Sequence, residues 1–184
     1  MGLKKNIIEL TRISESRYRE MEKLPLSLMA DNVRSMQNIG SMLRTCDAFK
    51  IKEMVMGGIS AVPPHAEISK TALGAERSVS WRHVDDTLAE VMRLKGRGVR
   101  IAVLEQAADS VALHDFNEEY IRSRGWKEPG EWMLVVGNEV NGVDQRIVDG
   151  ADVVLEIPMY GVKHSLNVSV SAGIALWAMT QIIR

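Results

Sequence analysis

The chain has 184 residues, 46% of them hydrophobic and 26% charged, with 23 Lys/Arg against 24 Asp/Glu. That length fits one domain large enough to bury its own core, and the composition excludes disordered and fibrous classes. The single cysteine, Cys46, excludes an intrachain disulfide framework, and the four histidines (His65, His83, His114, His164) are scattered without metal-ligand spacing, so no metal is expected.

Met1 to Leu24 carries charges of both signs and has no apolar signal core, and no apolar run approaches the roughly 20 residues of a membrane helix. The expectation is a soluble, cytoplasmic protein with no membrane partner. Charge is uneven: residues 1–100 hold 17 Lys/Arg and 12 Asp/Glu, whereas residues 101–184 hold 6 and 12. A basic first half suits steering of a nucleic acid onto one face, and an uneven solvated surface is the plainer alternative.

In chain order, residues 3–23 read as an amphipathic helix ended by Pro25, with Leu3, Ile7, Leu10 and Ile13 at helical spacing. This gives an N-terminal extension over 1–25 and a body over 26–184. From Leu26 strands and helices alternate. Strands are predicted at Leu26–Ala30, Glu53–Gly57, Val79–His83, Val99–Leu104, Trp132–Val136 and Val153–Ile157. Helices are predicted at Ser35–Phe49, at Asp85–Lys95 with Asp85 as cap, around Val143–Val148, and from Leu166 to Arg184. Residues 105–131 carry no clear period and include a polar stretch, SRGWKEPGE, that reads as an exposed loop. The alternation predicts an α/β fold with a mostly parallel sheet flanked by helices. The last helix is apolar nearly all round, which calls for burial on more than one side; a second copy of the chain would supply it, so a homodimer is expected.

In a parallel sheet, ligands bind in loops beyond the carboxyl ends of strands. Three such loops stand out: LEQAA at 104–108, GNEVNG at 137–142 and PMYGVKHSLNVS at 158–169. No G-x-G-x-x-G follows a strand, no G-x-x-x-x-G-K-[ST] occurs and G-x-S-x-G is absent, which disfavours dinucleotide, phosphoryl-transfer and α/β-hydrolase sites. Arg44 lies beside the apolar Met42-Leu43 pair, near a helix face expected to be buried. A buried arginine needs either an acidic partner, here Asp47 or Glu139, or an anionic ligand such as phosphate.

Together, NIGSMLRTCDAF at 38–49, LVVGNEVNGV at 134–143 and IPMYGVKHSLNVSVS at 157–171 resemble, in order, the three motifs of the SpoU (TrmH-like) branch of the SPOUT RNA methyltransferases. KTALGAE at 70–76 is similar to the segment that such proteins carry between the first two motifs. The resemblance implies a C-terminal trefoil knot, a dimer with the active site near the subunit interface, and S-adenosylmethionine bound in the knot loops. It implies methylation of a ribose 2′-hydroxyl in tRNA or rRNA. Carried onto this chain, the catalytic positions are Arg44, Asn38, Glu139, Ser165 and Asn167. The cofactor positions are Leu104, Glu105, Gly137, Asn138, Ile157, Pro158, Met159, Ser165 and Leu166.

In such proteins the arginine matching Arg44 is assigned to activating the hydroxyl. A guanidinium is a poor base, so clamping a phosphate and stabilising charge on the ribose oxygen is the better role. Glu139 reads as a brace for its loop or a partner of Arg44. A non-catalytic RNA-binding dimer that keeps the fold is the alternative, and the N-terminal extension alone gives no indication of which RNA is bound.

Overall fold

The structure, a computed structural model, describes residues 13–127 and 130–183. Most of the predicted N-terminal helix, with Leu3, Ile7 and Leu10, therefore lies outside the described residues. Its end is helix α1 (Glu15–Glu20), capped by Ser14 and held to the body by the Tyr18 hydroxyl, which donates to the Asp47 carbonyl at 2.9 Å.

The core is a sheet built from β1 (Leu26–Asp31), β2 (Met54–Gly57), β3 (Trp81–Val84), β4 (Arg100–Leu104), β5 (Val111–Ala112), β6 (Trp132–Val136) and β7 (Val153–Glu156). The seven strands run in the order β3-β2-β1-β6-β4-β7-β5 and every pairing is parallel. Strands buried on both faces lose the polar half of their alternation, which is why β1, β2 and β6 read as continuous apolar runs. The two-residue period survives in where the side chains go. Leu28, Ala30, Met54, Met56, Leu134 and Val136 enter one core, whereas Met29, Val55, Met133 and Val135 enter the other.

The first core is covered by α2 (Met36–Ala48), α3 (Ala66–Ala72), α4 (Ala75–Ser78), α6 (Glu118–Ser123) and α8 (Val168–Thr180), the second by α5 (Thr87–Gly96) and α7 (Gln145–Asp149). Gly40 lets α2 and α3 touch: a Cβ there would fall 2.1 Å from Thr71 Oγ1 and 2.3 Å from the Ile68 carbonyl oxygen.

Several boundaries differ from the sequence reading. Helices α3 and α4 were not expected; both are shorter than the window over which a helical period can be recognised. The uncertain stretch 105–131 holds β5 and α6, with Asn117 capping α6 by accepting from the Tyr120 amide at 3.0 Å. Asp86, not Asp85, caps α5, accepting from the Ala89 amide at 2.9 Å. The third strand starts at Trp81 instead of Val79, because Val79 closes α4. The last helix starts at Val168, with Leu166 in the preceding loop.

On the α5 side, Glu90 is 8% exposed and receives hydrogen bonds from Arg93 Nε at 2.7 Å and Arg82 Nη2 at 2.5 Å. These bonds, Arg93's first, hold its carboxyl down to about 2 against the opposing effect of burial. Because the folded value lies below the ordinary 4.5, the stabilisation is present above pH 4.5 and disappears as the pH falls towards 2. Glu90→Gln should therefore lower unfolding free energy by about 2 kcal/mol at pH 7. In urea titrations the gap from the parent protein should close steadily below pH 4.5.

Candidate active site

Because all strands are parallel, the carboxyl ends of β4, β6 and β7 open on one edge of the sheet. The loops that leave them enclose a cavity of about 520 Å³, within the range of small-molecule sites. Leu104, Glu105 and Gln106 line it from the first loop, Gly137 to Glu139 from the second, and Ile157, Met159 and the segment from His164 to Asn167 from the third. Of the cofactor positions carried over from the resemblance, Pro158 alone is not on the wall.

The second loop is a tight turn. Asn138 and Gly142 exchange backbone hydrogen bonds of 3.1 and 2.9 Å, and the Asn138 side-chain oxygen accepts from the Val140 and Asn141 amides. The Asn138 side-chain Nδ2 donates at 2.9 Å to the Asn32 carbonyl, tying the turn to the end of β1. Gly142 takes φ +68°, a conformation that favours glycine. At Gly137 the requirement is space: a Cβ would lie 2.2 Å from both the Gly142 carbonyl carbon and the Val143 nitrogen. Glu105 holds the far side of this turn, its Oε1 accepting from the Val143 amide at 2.9 Å.

One small network joins the three segments singled out in the sequence. Asn38 donates through Nδ2 to Glu139 Oε1 at 2.7 Å, and Asn167 donates through Nδ2 to Asn38 Oδ1 at 3.0 Å. Asn38 sits in the first turn of α2, so its side chain projects from the helix start towards both loops. Asn167 is also the cap of α8, accepting from the Ser169 amide at 2.9 Å. Glu139 thus braces its loop against α2 and does not pair with Arg44. Ser165 lies on the cavity wall, exposed.

Arg44 corrects an expectation. It is exposed, on the solvent side of α2, and makes no ion pair or side-chain hydrogen bond among the described residues. Neither acidic candidate reaches it: Asp47 Oδ1 accepts from the Ser78 hydroxyl at 2.5 Å and Glu139 is engaged by Asn38. Position 44 lies near the buried face of α2 but off it, since α2 turns only 39, 40, 42, 43 and 46 inward. Arg44 does not line the cavity of its own chain. Arg34, just before α2, is likewise exposed and unpaired among the described residues. Arg146, by contrast, is committed to Asp144, whose carboxyl its hydrogen bonds hold down to about 2.

Beside the cavity runs a shallow apolar groove between α2 and α8, lined by Thr45, Phe49, Val170, Gly173, Ile174 and Trp177. Val170, Ile174 and Trp177 are 50%, 40% and 57% exposed, an unusual load of apolar surface on one helix. Among the described residues no group of three or more His, Cys, Asp or Glu could hold a metal ion, and no helix is long and apolar enough to cross a membrane.

Sequence reasoning missed Gln106 and Asp31. Gln106 reaches the third loop, and Asp31, buried at the end of β1, accepts from the Asp144 amide at 3.1 Å. Their roles depend on partners 58 to 113 residues away, so no local spacing signals them.

Comparison with known proteins bears on what such an edge does. The model of the SpoU rRNA Methylase family matches residues 25–177. The tRNA (guanosine(18)-2′-O)-methyltransferase of Aquifex aeolicus is 32% identical over 95% of this chain and 75% of its own. The 23S rRNA (guanosine-2′-O-)-methyltransferase RlmB of Neisseria meningitidis is 29% identical over 94% of this chain and 63% of its own. Among solved structures, the A. aeolicus TrmH/SpoU tRNA modifying enzyme superposes with a TM-score of 0.73 at 32% identity, covering 91% of this chain and 81% of that one. The SpoU methyltransferase AviRb of Streptomyces viridochromogenes, in complex with AdoMet, superposes at 0.74 and 20% identity over 90% of this chain and 63% of its own, a likeness of fold. The chain therefore spans three quarters of the Aquifex relative and under two thirds of the Neisseria one.

Proposed function

This chain belongs to the SpoU rRNA methylase family, and from that premise we propose that it transfers the methyl group of S-adenosylmethionine to a ribose 2′-hydroxyl of tRNA or rRNA. The observation that carries the reading is the three-loop cavity whose walls are tied together by Asn38, Glu139 and Asn167. Relatives named for guanosine 2′-O-methylation of tRNA and of 23S rRNA support the substrate class. The trefoil knot that the family resemblance implies belongs to the same proposal.

The cavity suits the cofactor. Its volume fits a nucleoside with an amino-acid tail, and its polar and apolar walls suit the two ends of such a molecule. The absence of a Cβ at Gly137 keeps the backbone of the second loop drawn in at the cavity wall. Bound there, the cofactor supplies an electrophilic methyl group on a sulfonium. Leu104, Ile157 and Leu166 then exclude water, while loop amides and carbonyls fix orientation. The ribose hydroxyl gives up its proton to a phosphate oxygen or to water. Arg44 clamps the neighbouring phosphate and stabilises negative charge on the ribose oxygen.

Arg44 can do this only from a second protomer. A copy seated on the groove between α2 and α8 would cover Val170, Ile174 and Trp177, and Arg44 stands next to the groove residue Thr45. The groove and the cavity adjoin on the first turns of α8, where Ser169 and Val170 face one and Ser171 the other. The groove is thus taken as the seat of a two-fold dimer in which the second copy supplies Arg44 to the cavity. Trp177→Glu should therefore turn a dimer into a monomer in sedimentation velocity runs and abolish methylation; a variant that stays dimeric would contradict this interface.

The reaction itself is tested by incubating the protein with labelled cofactor and total RNA, then digesting to nucleosides. Label on 2′-O-methylated ribose is expected, and label on a base would refute the reaction type. If the protein fails to bind S-adenosylhomocysteine, the non-catalytic RNA-binding dimer becomes the better reading.

A further inference from the structure

We propose that Gln106 is a positioning residue that clasps the third loop over the cavity; its bearing on the cofactor rests on the function proposed above. The third loop needs such a clasp. Residues 160–167 are exposed along their whole length, and among the described residues no backbone hydrogen bond outside helices and strands involves residues 158–166. A segment with neither buried side chains nor backbone partners samples many conformations unless something fixes it.

Two side-chain bonds hold it. Asn167 ties its end to Asn38, and Gln106 Nε2 donates to the His164 carbonyl at 2.8 Å, near its middle. Only a donor can meet a carbonyl oxygen, so the amide orientation of Gln106 is fixed by its partner. The base of the clasp is firm. Gln106 follows the end of β4, where the Glu105 amide donates to the Leu155 carbonyl at 3.0 Å. The Gln106 amide donates to Glu105 Oε2 at 3.1 Å, while the other oxygen of Glu105 receives the Val143 amide. Two consecutive residues thus join all three loops, Glu105 gripping the second and Gln106 the third. The residues next to His164, namely Ser165 and Leu166, are on the cavity wall, so freeing the His164 carbonyl loosens both.

The test compares the full chain with Gln106→Ala and with Gln106→Glu, which keeps the shape and removes the donor. Limited trypsin digestion of the ligand-free proteins should cut after Lys163 about 5-fold faster or more in both variants, with cleavage elsewhere unchanged. Calorimetry should show S-adenosylhomocysteine binding about 3- to 10-fold weaker, and steady-state kinetics a raised KM for the cofactor with kcat unchanged. Cleavage after Lys163 within twofold of the parent protein overturns the clasp. So does faster cleavage spread over the whole chain, which would mark a merely structural residue. Failure of the parent protein to bind S-adenosylhomocysteine would instead refute the cofactor reading, and the cleavage comparison decides the clasp without it.

Discussion

Replacing Arg44 with alanine should lower methyl transfer by about 10²–10³-fold, the loss typical of removing one preorganised charge-stabilising donor. Affinity for S-adenosylhomocysteine should stay within about twofold, because the role proposed for Arg44 is on the RNA phosphate and the ribose oxygen and not on the cofactor. The melting temperature should not fall, since an exposed side chain without partners among the described residues contributes little to folding. Single-turnover rates with saturating cofactor, read beside calorimetry, separate these effects. Arg44→Lys should recover only part of the rate, because an ammonium lacks the fork that grips a phosphate at two points. A large loss of cofactor affinity in Arg44→Ala would mean that the residue serves the cofactor and not the ribose.

The second large effect is expected at Gly137, for a steric reason. Alanine there would bring Cβ to 2.2 Å from two backbone atoms, the Gly142 carbonyl carbon and the Val143 nitrogen. Neither can retreat freely: Gly142 is bonded to Asn138 in both directions, and the Val143 amide is held by Glu105. Gly137→Ala should therefore lower stability by about 2–3 kcal/mol and weaken S-adenosylhomocysteine binding by at least about 100-fold. Gly96→Ala is the control. Nothing lies within 4 Å of its Cβ position at the end of α5, so stability should rise slightly. Denaturant titration and calorimetry on the two variants give the contrast, and a Gly137→Ala protein that binds normally would mean that the second loop is free to move.

What could be read from the chain alone was whatever local chemistry repeats. Alternating elements announced a parallel α/β sheet because β1, β2, β4, β6 and β7 each carry a compact apolar run bounded by polar residues. The loops at 137–142 and 158–169 were marked by glycine, proline and capping residues, and the loop at 104–108 only by its place after a strand; the structure brings all three to one cavity. The short helices α3 and α4, the two-residue strand β5 and the cap of α5 escaped, since four to seven residues do not complete a recognisable period.

The strand order, which sets β6 between β1 and β4, could not be inferred from pattern, because every central strand is equally apolar. That order alone brings Asn38, Glu139 and Asn167 within hydrogen-bonding distance across 101 and 129 residues of chain. Arg44, next in sequence to the inward Met42 and Leu43, faces solvent because α2 packs on the sheet through 39, 40, 42, 43 and 46. Sequence carries the chemistry of each segment because side-chain type and local period are properties of consecutive residues. Which groups meet is decided by packing between strands and helices distant in the chain, and that depends on the energy of the whole core.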